Sequence, residues 1–244
     1  DSYLFSQGTH QRLFEKLGAH IVKAGDKTIG TYFAVWAPHA QEVCLVGDFN
    51  GWRYASDYMY RIEYNGIWVM FVPKIGNGSL YKFAVKGADG AIRYKLDPFA
   101  LLNQYPTHEQ KYATASIVWD ISSYKWSDKA KAWMKERAAK QAIDAPISVL
   151  QIHLGSWMRG ENNRWLTYSE LATKLVDYID AARQYGMAYT HVQFNPVTEH
   201  FLYSSMGYLA NCFYAPTSRY GTPQDFMYLT DYLQQHGIGV FDDK

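Results

Sequence analysis

The feature that most restricts the fold is a short apolar run near the middle of the chain, residues 147–154, which lies between Pro146 and Gly155. The run is rich in β-branched side chains and is shorter than an ordinary helix, so it favours a strand that is buried on both faces. Strands of this kind are typical of parallel α/β sheets and barrels. We therefore expect residues 145–244 to form part of a (β/α)8 TIM-type barrel, with this run as its first strand.

The residues after this run show the pattern of an amphipathic helix. Thr167 and Glu170 have the spacing of a capping box, in which each side chain bonds the other residue's backbone N–H. Three apolar side chains then follow at helical spacing: Leu171, Leu175 and Ile179. The pattern predicts a helix with one face packed inward, which ends at Gly186.

Two further buried strands and one further helix complete this pattern. The strands are predicted at 189–194 and 237–241, and residues 197–220 are predicted to be a long loop. Thr222 precedes a proline and has Asp225 three residues later, which indicates the N-cap of a second helix. Right-handed crossovers would make the three strands parallel neighbours. An incomplete barrel containing strands one to three is the expected result.

The first part of the chain alternates with period two instead. Four stretches do so: residues 31–36, 42–47, 67–71 and 81–85. Turn signals such as Asn65-Gly66 and Asp89-Gly90 separate them, and this spacing is typical of a β-sandwich. We predict an immunoglobulin-like β-sandwich over 25–105, preceded by a lead-in at 1–24 and followed by a linker with a helix at 106–144. The predicted fold class is thus mostly β plus α/β.

Charge and cysteine content restrict the possible partners and the compartment. The net charge of +1 over 244 residues gives no electrostatic attraction to nucleic acid or to an anionic membrane. The two cysteines, Cys44 and Cys212, lack metal-ligand spacing and favour a reducing compartment. No apolar run approaches the ~20 residues that cross a bilayer. We expect a cytoplasmic protein with no metal, no cofactor, no nucleic-acid partner and no membrane partner.

Aromatic residues are abundant, at 17% of the chain, with 21 tyrosines and 8 tryptophans. Such rings either build large cores or bind sugars, because the C–H face of a pyranose stacks on a flat ring while its hydroxyls form hydrogen bonds. Composition leaves both interpretations open.

Two stretches of the predicted sandwich carry a family resemblance. Residues 46–52 (VGDFNGW) and 80–83 (LYKF) resemble the glucan-binding β-sandwich modules attached to starch- and glycogen-processing enzymes. The resemblance implies that Trp52 and Lys82 are carbohydrate-binding residues. Such modules carry a second tryptophan near 89–92, where this chain has no aromatic residue. Trp52 is therefore predicted to pack under its turn, with a sugar platform as the alternative.

The resemblance extends over nearly the whole chain. Residues 145–243 resemble the first portion of the barrel of 1,4-α-glucan (glycogen) branching enzymes, members of the α-amylase superfamily. The matching stretches are 144–148, 153–157, 166–172, 190–192, 196–200, 206–208, 214–223 and 237–240, with 8–10 and 17–20 in the lead-in. It implies transfer of an α-1,4-glucan segment to a 6-hydroxyl by retaining double displacement.

The resemblance assigns substrate contacts to Tyr208 and Asp243. The alternative for Tyr208 is a structural role, in which its ring fills a space within its loop. The family's three catalytic carboxylates lie at the ends of barrel strands four, five and seven, so we expect no catalytic residue among these 244. This chain departs from the family around the cleavage site, where Gln151 stands for a glutamate, Asn195 for a leucine and Leu209 for a glutamine. The resemblance therefore implies a loss of polar contacts there and a relaxed constraint on catalysis.

Three hypotheses follow for the function. The chain is part of a branching enzyme and inactive alone, or it is a non-catalytic glucan-binding or interaction protein, or it is one part of a split enzyme. An α-glucan such as glycogen or amylose is one predicted partner. The open barrel edge predicts self-association or pairing with a second chain.

Overall fold

The structure, a computed structural model, describes residues 1–62, 65–105 and 114–243. The chain divides into two compact units. Unit 1 contains residues 1–120 and 211–215, and unit 2 contains residues 121–210 and 216–244.

Unit 1 begins with a short helix, α1 (Ser2–Ser6), and continues as antiparallel strands. These are β1 (Gly18–Ala24), β2 (Lys27–Trp36), β3 (Glu42–Gly47), β4 (Tyr60–Arg61), β5 (Ile67–Pro73), β6 (Leu80–Lys86), β7 (Ile92–Lys95), β8 (Leu102–Asn103) and β9 (Ser116–Ile117). One sheet has the order β1-β2-β5-β4, and the other has the order β3-β6-β9-β8 with β7 paired to β6. This arrangement confirms the predicted β-sandwich.

The core of unit 1 lies between its two sheets. Phe33 on β2 faces Leu45 on β3 and Phe83 on β6 across it, and all three side chains are fully buried. Alternation turns Cys44 and Val46 to the other side of β3, where they are also buried, with Tyr54 packed against them. The predicted alternation of the strands therefore holds, but the outward side of β3 is covered as well.

The limits of unit 1 differ from the predicted module limits of 25–105. β1 lies in the predicted lead-in, yet it pairs with β2 from Gly18↔Ala34 to Ala24↔Lys27. β9 lies beyond residue 105 and pairs with both β6 and β8. Backbone N–H and C=O groups of a strand need partners, so these flanking strands belong to the sheets that supply them.

Unit 2 contains helices around a small parallel sheet. The helices are α2 (Asp128–Lys140), α3 (Leu154–Trp157), α4 (Tyr168–Arg183) and α5 (Pro223–Gln235). The strands are β10 (Val149–Ile152), β11 (His191–Phe194), β12 (Thr198–His200), β13 (Ala210–Pro216) and β14 (Gly239–Asp242), of which residues 211–215 of β13 belong to unit 1. The sheet order β10-β11-β14 is parallel throughout, as predicted.

Both predicted helix starts are confirmed. The Thr167 hydroxyl accepts a hydrogen bond from the Glu170 N–H, and the Thr222 hydroxyl accepts one from the Asp225 N–H. The predicted inward face of α4 is fully buried at Leu171, Leu175 and Ile179. These caps fix where α4 and α5 begin, and thereby which of their faces packs on the parallel sheet.

Two expectations for this half were wrong. The first strand is shorter than 147–154 and is not buried on both faces, because Val149 and Gln151 are exposed while Ile152 is buried. The predicted loop at 197–220 contains β12 and all of β13. β12 was missed because its buried residues are polar rather than apolar, so it lacks the hydrophobic pattern of a strand.

Candidate functional site

Trp52 follows a tight turn at the end of β3. The Asn50 side chain holds that turn, since its Oδ1 accepts from Gly47 N–H at 2.9 Å and its Nδ2 donates to Leu45 O at 3.0 Å. Trp52 itself lies in the left-handed region, with φ of 60°, and its N–H donates to Gly47 O at 2.9 Å. The residue is 39% exposed, so the expectation that it packs under its turn is not met.

Lys82 lies on the outward side of the same sheet. Its neighbours on β6, Tyr81 and Phe83, are fully buried in the core, so alternation directs Lys82 away from the core. Lys82 lies opposite Val46, next to the end of β3 from which the turn carrying Trp52 leaves. Partial burial lowers the pKa of the Lys82 amine. The two module residues predicted from sequence thus lie at the same end of one strand pair.

Sequence reasoning missed two exposed tyrosines on this side of the sheet. Cys44 lies opposite Tyr58 on one side and Ala84 on the other, and Ala84 lies opposite Tyr94. Directly opposed residues of antiparallel strands point to the same face, so the two tyrosine rings flank a centre in which Tyr54 covers Cys44 and Ala84. Tyr58 is 53% exposed and Tyr94 is 52% exposed. We call this surface, comprising Trp52, Tyr58, Lys82 and Tyr94, the outer aromatic face.

A polar network borders the outer aromatic face. Glu42 accepts hydrogen bonds from Tyr54 Oη and from Lys86 Nζ, both at 2.8 Å. The bond from Lys86 is the main reason that the pKa of Glu42 lies below its usual range. The Tyr54 ring meets the Tyr58 ring edge to face, with centroids 6.3 Å apart. The network therefore fixes Tyr54, which in turn supports one of the exposed rings.

The two predicted substrate residues of unit 2 contact each other. Tyr208 Oη donates a hydrogen bond of 2.9 Å to Asp243 Oδ2, and this bond raises the pKa of Tyr208. Asp243 N–H donates to Phe194 O, so Asp243 directly continues the pairing of β14 with β11. The turn before Tyr208 requires glycine, because a Cβ on Gly207 would lie 2.3 Å from Pro196 O.

A pair of neutral amides lies at the same edge of the parallel sheet. Gln151 on β10 donates from its Nε2 to Oδ1 of Asn195, which follows β11, at 3.0 Å. The carboxyl ends of parallel strands meet at one edge, so this pair and the Tyr208–Asp243 pair share it. Two of the substitutions noted in the sequence therefore compensate each other with a hydrogen bond.

Two other kinds of feature are absent from the part of the chain that the structure describes. Across residues 1–62, 65–105 and 114–243, the structure holds no group of three or more His, Cys, Asp or Glu side chains that could bind a metal ion. Within the same ranges, every helix is too short or too polar to span a bilayer.

Comparison with known proteins gives a consistent family. Residues 16–100 match carbohydrate-binding module 48, the isoamylase N-terminal domain. The chain is 46% identical over 246 residues to the 1,4-alpha-glucan branching enzyme GlgB of Aquifex aeolicus and 42% identical over 260 residues to that of Synechococcus sp. (strain JA-2-3B'a(2-13)). Both matches cover 100% of this chain, but only 37% and 32% of the relatives.

A solved structure supports the fold. A crystal structure from Salmonella typhimurium assigned as an alpha amylase matches 93% of this chain and 32% of its own chain, with a TM-score of 0.67 and 23% identity. The chain therefore carries a carbohydrate-binding module 48 and is related along its whole length to the 1,4-alpha-glucan branching enzymes, of whose length it spans about a third.

Proposed function

We propose that this chain is a glucan-binding portion of a 1,4-α-glucan branching enzyme, in which transfer of an α-1,4-glucan segment to a 6-hydroxyl takes place. The observation that carries the proposal is the outer aromatic face, which lies within the residues that match carbohydrate-binding module 48. Its exposed rings can stack on the C–H faces of successive glucose units, and the Lys82 amine can donate hydrogen bonds to their hydroxyls.

The geometry of the outer aromatic face suits a chain rather than a single sugar. Tyr58 and Tyr94 are separated by two intervening strands, β3 and β6, and neighbouring strands lie about 4.7–4.9 Å apart. The two rings are thus spaced for different units of one glucan. Tyr54 covers Cys44 and Ala84 between the two rings, so a ligand that spans both rings would pass over Tyr54.

In unit 2, we propose that the parallel sheet is the beginning of a (β/α) barrel and that Tyr208 and Asp243 contact glucan there. The hydrogen bond between them holds the exposed phenol at the carboxyl edge of the sheet, where barrel enzymes bind their substrates. The exposed side chains of Ile147 and Val149 beside β10 support pairing of this edge with further barrel strands, from the same polypeptide, a second copy or another chain.

A non-catalytic glucan-binding protein is the second candidate. The Gln151–Asn195 pair favours it, because the resemblance implies a glutamate at 151, where a neutral amide instead donates to Asn195. We further propose a cytoplasmic location, since Cys44 and Cys212 are both buried as free thiols.

Titration calorimetry with maltoheptaose tests the glucan proposal. We expect Trp52→Ala to weaken binding by about tenfold or more, equivalent to about 1.4 kcal/mol. Tyr60→Ala is the matched control, because Tyr60 is 70% exposed but lies on β4 in the other sheet. Equal affinities for both variants and the unmodified chain would contradict the outer aromatic face as the binding surface.

A further inference from the structure

A cavity lies between two helices of unit 2. It has a volume of about 520 Å³ and is open to solvent. Its lining residues come from α2, from α5 and from the residue before the α2 N-cap: Trp126, Ala130, Lys131, Met134, Thr230 and Gln234. We call it the helix-pair pocket. Its volume falls within the range of ordinary small-molecule sites, about 300–1,000 Å³.

The walls of the helix-pair pocket are held in place by one buried carboxylate. Asp231 on α5 accepts hydrogen bonds from Tyr124 Oη and from the Ser127 N–H, both at 2.9 Å. Ser127 is also the N-cap of α2, where its hydroxyl accepts from the Ala130 N–H. The bonds of Asp231 therefore attach the start of α2 to α5 independently of any ligand.

Trp126 is the aromatic wall of the pocket, and its surroundings orient it. It lies between Tyr124 and Ser127 in the sequence, and Asp231 binds both of these neighbours. The Tyr124 ring also meets the indole edge to face, with centroids 5.2 Å apart and an interplanar angle of 74°. The T-shaped contact with Tyr124 helps to hold the indole in place as a flat wall of the pocket.

Gln234 supplies an acceptor that lacks a partner. The residue is only 8% exposed, and within the described ranges no donor reaches its Oε1. Its Nε2 donates to Met134 Sδ at 3.6 Å, which directs the amide nitrogen toward the thioether. A buried acceptor without a hydrogen bond is unfavourable, so a donor on a ligand in the pocket that Gln234 lines would satisfy it.

The combination of a flat indole, apolar walls and a single buried acceptor selects the ligand chemistry. A purely apolar molecule would leave Gln234 Oε1 without a hydrogen bond, and an anion would be repelled by that oxygen. A pyranose satisfies both requirements, because its C–H face stacks on Trp126 while a hydroxyl donates to Gln234. Lys131 and Thr230 offer further hydrogen bonds at the pocket.

We propose that the helix-pair pocket binds one glucose unit of an α-1,4-glucan, as a site on unit 2 additional to the outer aromatic face of unit 1. This inference rests on the proposed function for the nature of the ligand. The site gives the chain a second point of attachment to a polymeric substrate, and two linked weak sites bind a polymer more tightly than either alone.

The test is NMR of the tryptophan indole N–H groups during titration of the whole chain with maltoheptaose. Trp126→Ala and Trp52→Ala assign the two signals. In the Trp52→Ala protein, we expect maltoheptaose still to shift the Trp126 signal, and a further Gln234→Leu substitution to weaken this binding at least tenfold. Tyr185→Ala is the control, because Tyr185 is 82% exposed in unit 2 but does not line the pocket.

The outcomes separate the two proposals. Shifts of the Trp52 signal without any shift of Trp126 would overturn the helix-pair pocket and leave the outer aromatic face supported. Shifts of Trp126 alone would support the pocket and contradict the outer aromatic face. In a Gln234→Leu protein with an unchanged circular dichroism spectrum, the Trp126 signal should report weaker maltoheptaose binding. An unchanged affinity would also overturn the pocket as a sugar site.

Discussion

Arg219 Nη1 lies 2.9 Å from Glu199 Oε1 in unit 2, and the two side chains are only 1% and 4% exposed. The other oxygen of Glu199 accepts from both the N–H and the hydroxyl of Ser218, each at 2.8 Å. This buried carboxylate thus joins β12 to the segment that leads into α5. Because charges are costly to bury, each member depends on the other.

Glu199→Gln should therefore destabilise the protein strongly. Removal of one partner leaves the guanidinium buried without its carboxylate, which typically costs about 3–5 kcal/mol. Urea unfolding followed by circular dichroism measures the loss. Asp180→Asn is the control, since Asp180 pairs with Arg183 on the surface, where a pair contributes about 0–1 kcal/mol. Similar losses for both substitutions would contradict this interpretation.

Gly239→Ala should disturb the parallel sheet. Gly239 lies opposite His191, and a Cβ there would come within 2.2 Å of the imidazole ring. The ring cannot easily move, since it stacks on Phe241 with centroids 4.7 Å apart. We expect a loss of about 1–3 kcal/mol in the free energy of unfolding, as for other overpacked cores. Gly76→Ala, whose nearest contact would be 3.3 Å, should have a smaller effect.

Asp97 should give unit 1 a stability that falls with rising pH. Burial raises the pKa of Asp97 to about 6, although Tyr81 Oη donates to it at 2.6 Å. The unfolded chain loses this proton near pH 4. The folded state therefore binds more protons between about pH 4 and pH 6, and stability present below that range decreases by about 3 kcal/mol across it.

Urea unfolding of the unmodified and Asp97→Asn proteins from about pH 4 to pH 7 measures this effect. As pH rises, the free energy of unfolding of the unmodified protein should fall relative to that of the Asp97→Asn protein. Asp89→Asn is the control, because hydrogen bonds from Arg93 lower the pKa of Asp89 to about 2, so the contribution of Asp89 changes only below about pH 4 and stays constant over this range. A difference between the Asp97 proteins that is independent of pH would refute the assignment.

Asp243→Asn should lower the pKa of Tyr208 toward its ordinary value. The carboxylate accepts the phenol's hydrogen bond and so favours the protonated phenol, and an amide favours it less. Titration of ¹³C-labelled tyrosine by NMR, around the usual phenol pKa of about 10, gives the shift. An unchanged Tyr208 curve would show that the bond does not persist in solution.

Tyr94→Ala should weaken maltoheptaose binding, whereas Tyr94→Phe should retain most of it. The ring, not the hydroxyl, is the proposed stacking surface, and the position is 52% exposed. Titration calorimetry distinguishes the two variants. Equal losses in both would assign the contribution to the hydroxyl and contradict the stacking model.

Sequence patterns predicted the parts of the fold that depend on interactions between residues close in sequence. The strand at 42–47 and the capping box of Thr167 with Glu170 were predicted correctly, since each depends on residues close in sequence. Cross-strand neighbours were not predictable in the same way. Tyr58 and Tyr94 become neighbours of one surface only through the register of β3, β6 and β7.

The helix-pair pocket lay outside sequence reasoning for a related reason. A helix was predicted within 106–144, but the side of α2 that buries Trp133, which is 6% exposed, was not predicted. Only the packing against α5 reveals that Trp126 and Gln234 share a cavity, although they are more than a hundred positions apart. By contrast, Tyr208 and Asp243 were predicted by family resemblance, and the structure places them in contact.

The five residues at 211–215 affect how the protein is made. They belong to unit 1, where the Tyr214 ring stacks on Phe99 at 4.7 Å and the Cys212 thiol lies 3.2 Å from Asp97 O. The ribosome delivers them only after the roughly 90 intervening residues, which takes several seconds at about 5–20 residues per second. During that interval the nascent sandwich lacks its last segment, and the face of the Phe99 ring on which Tyr214 later stacks stays uncovered.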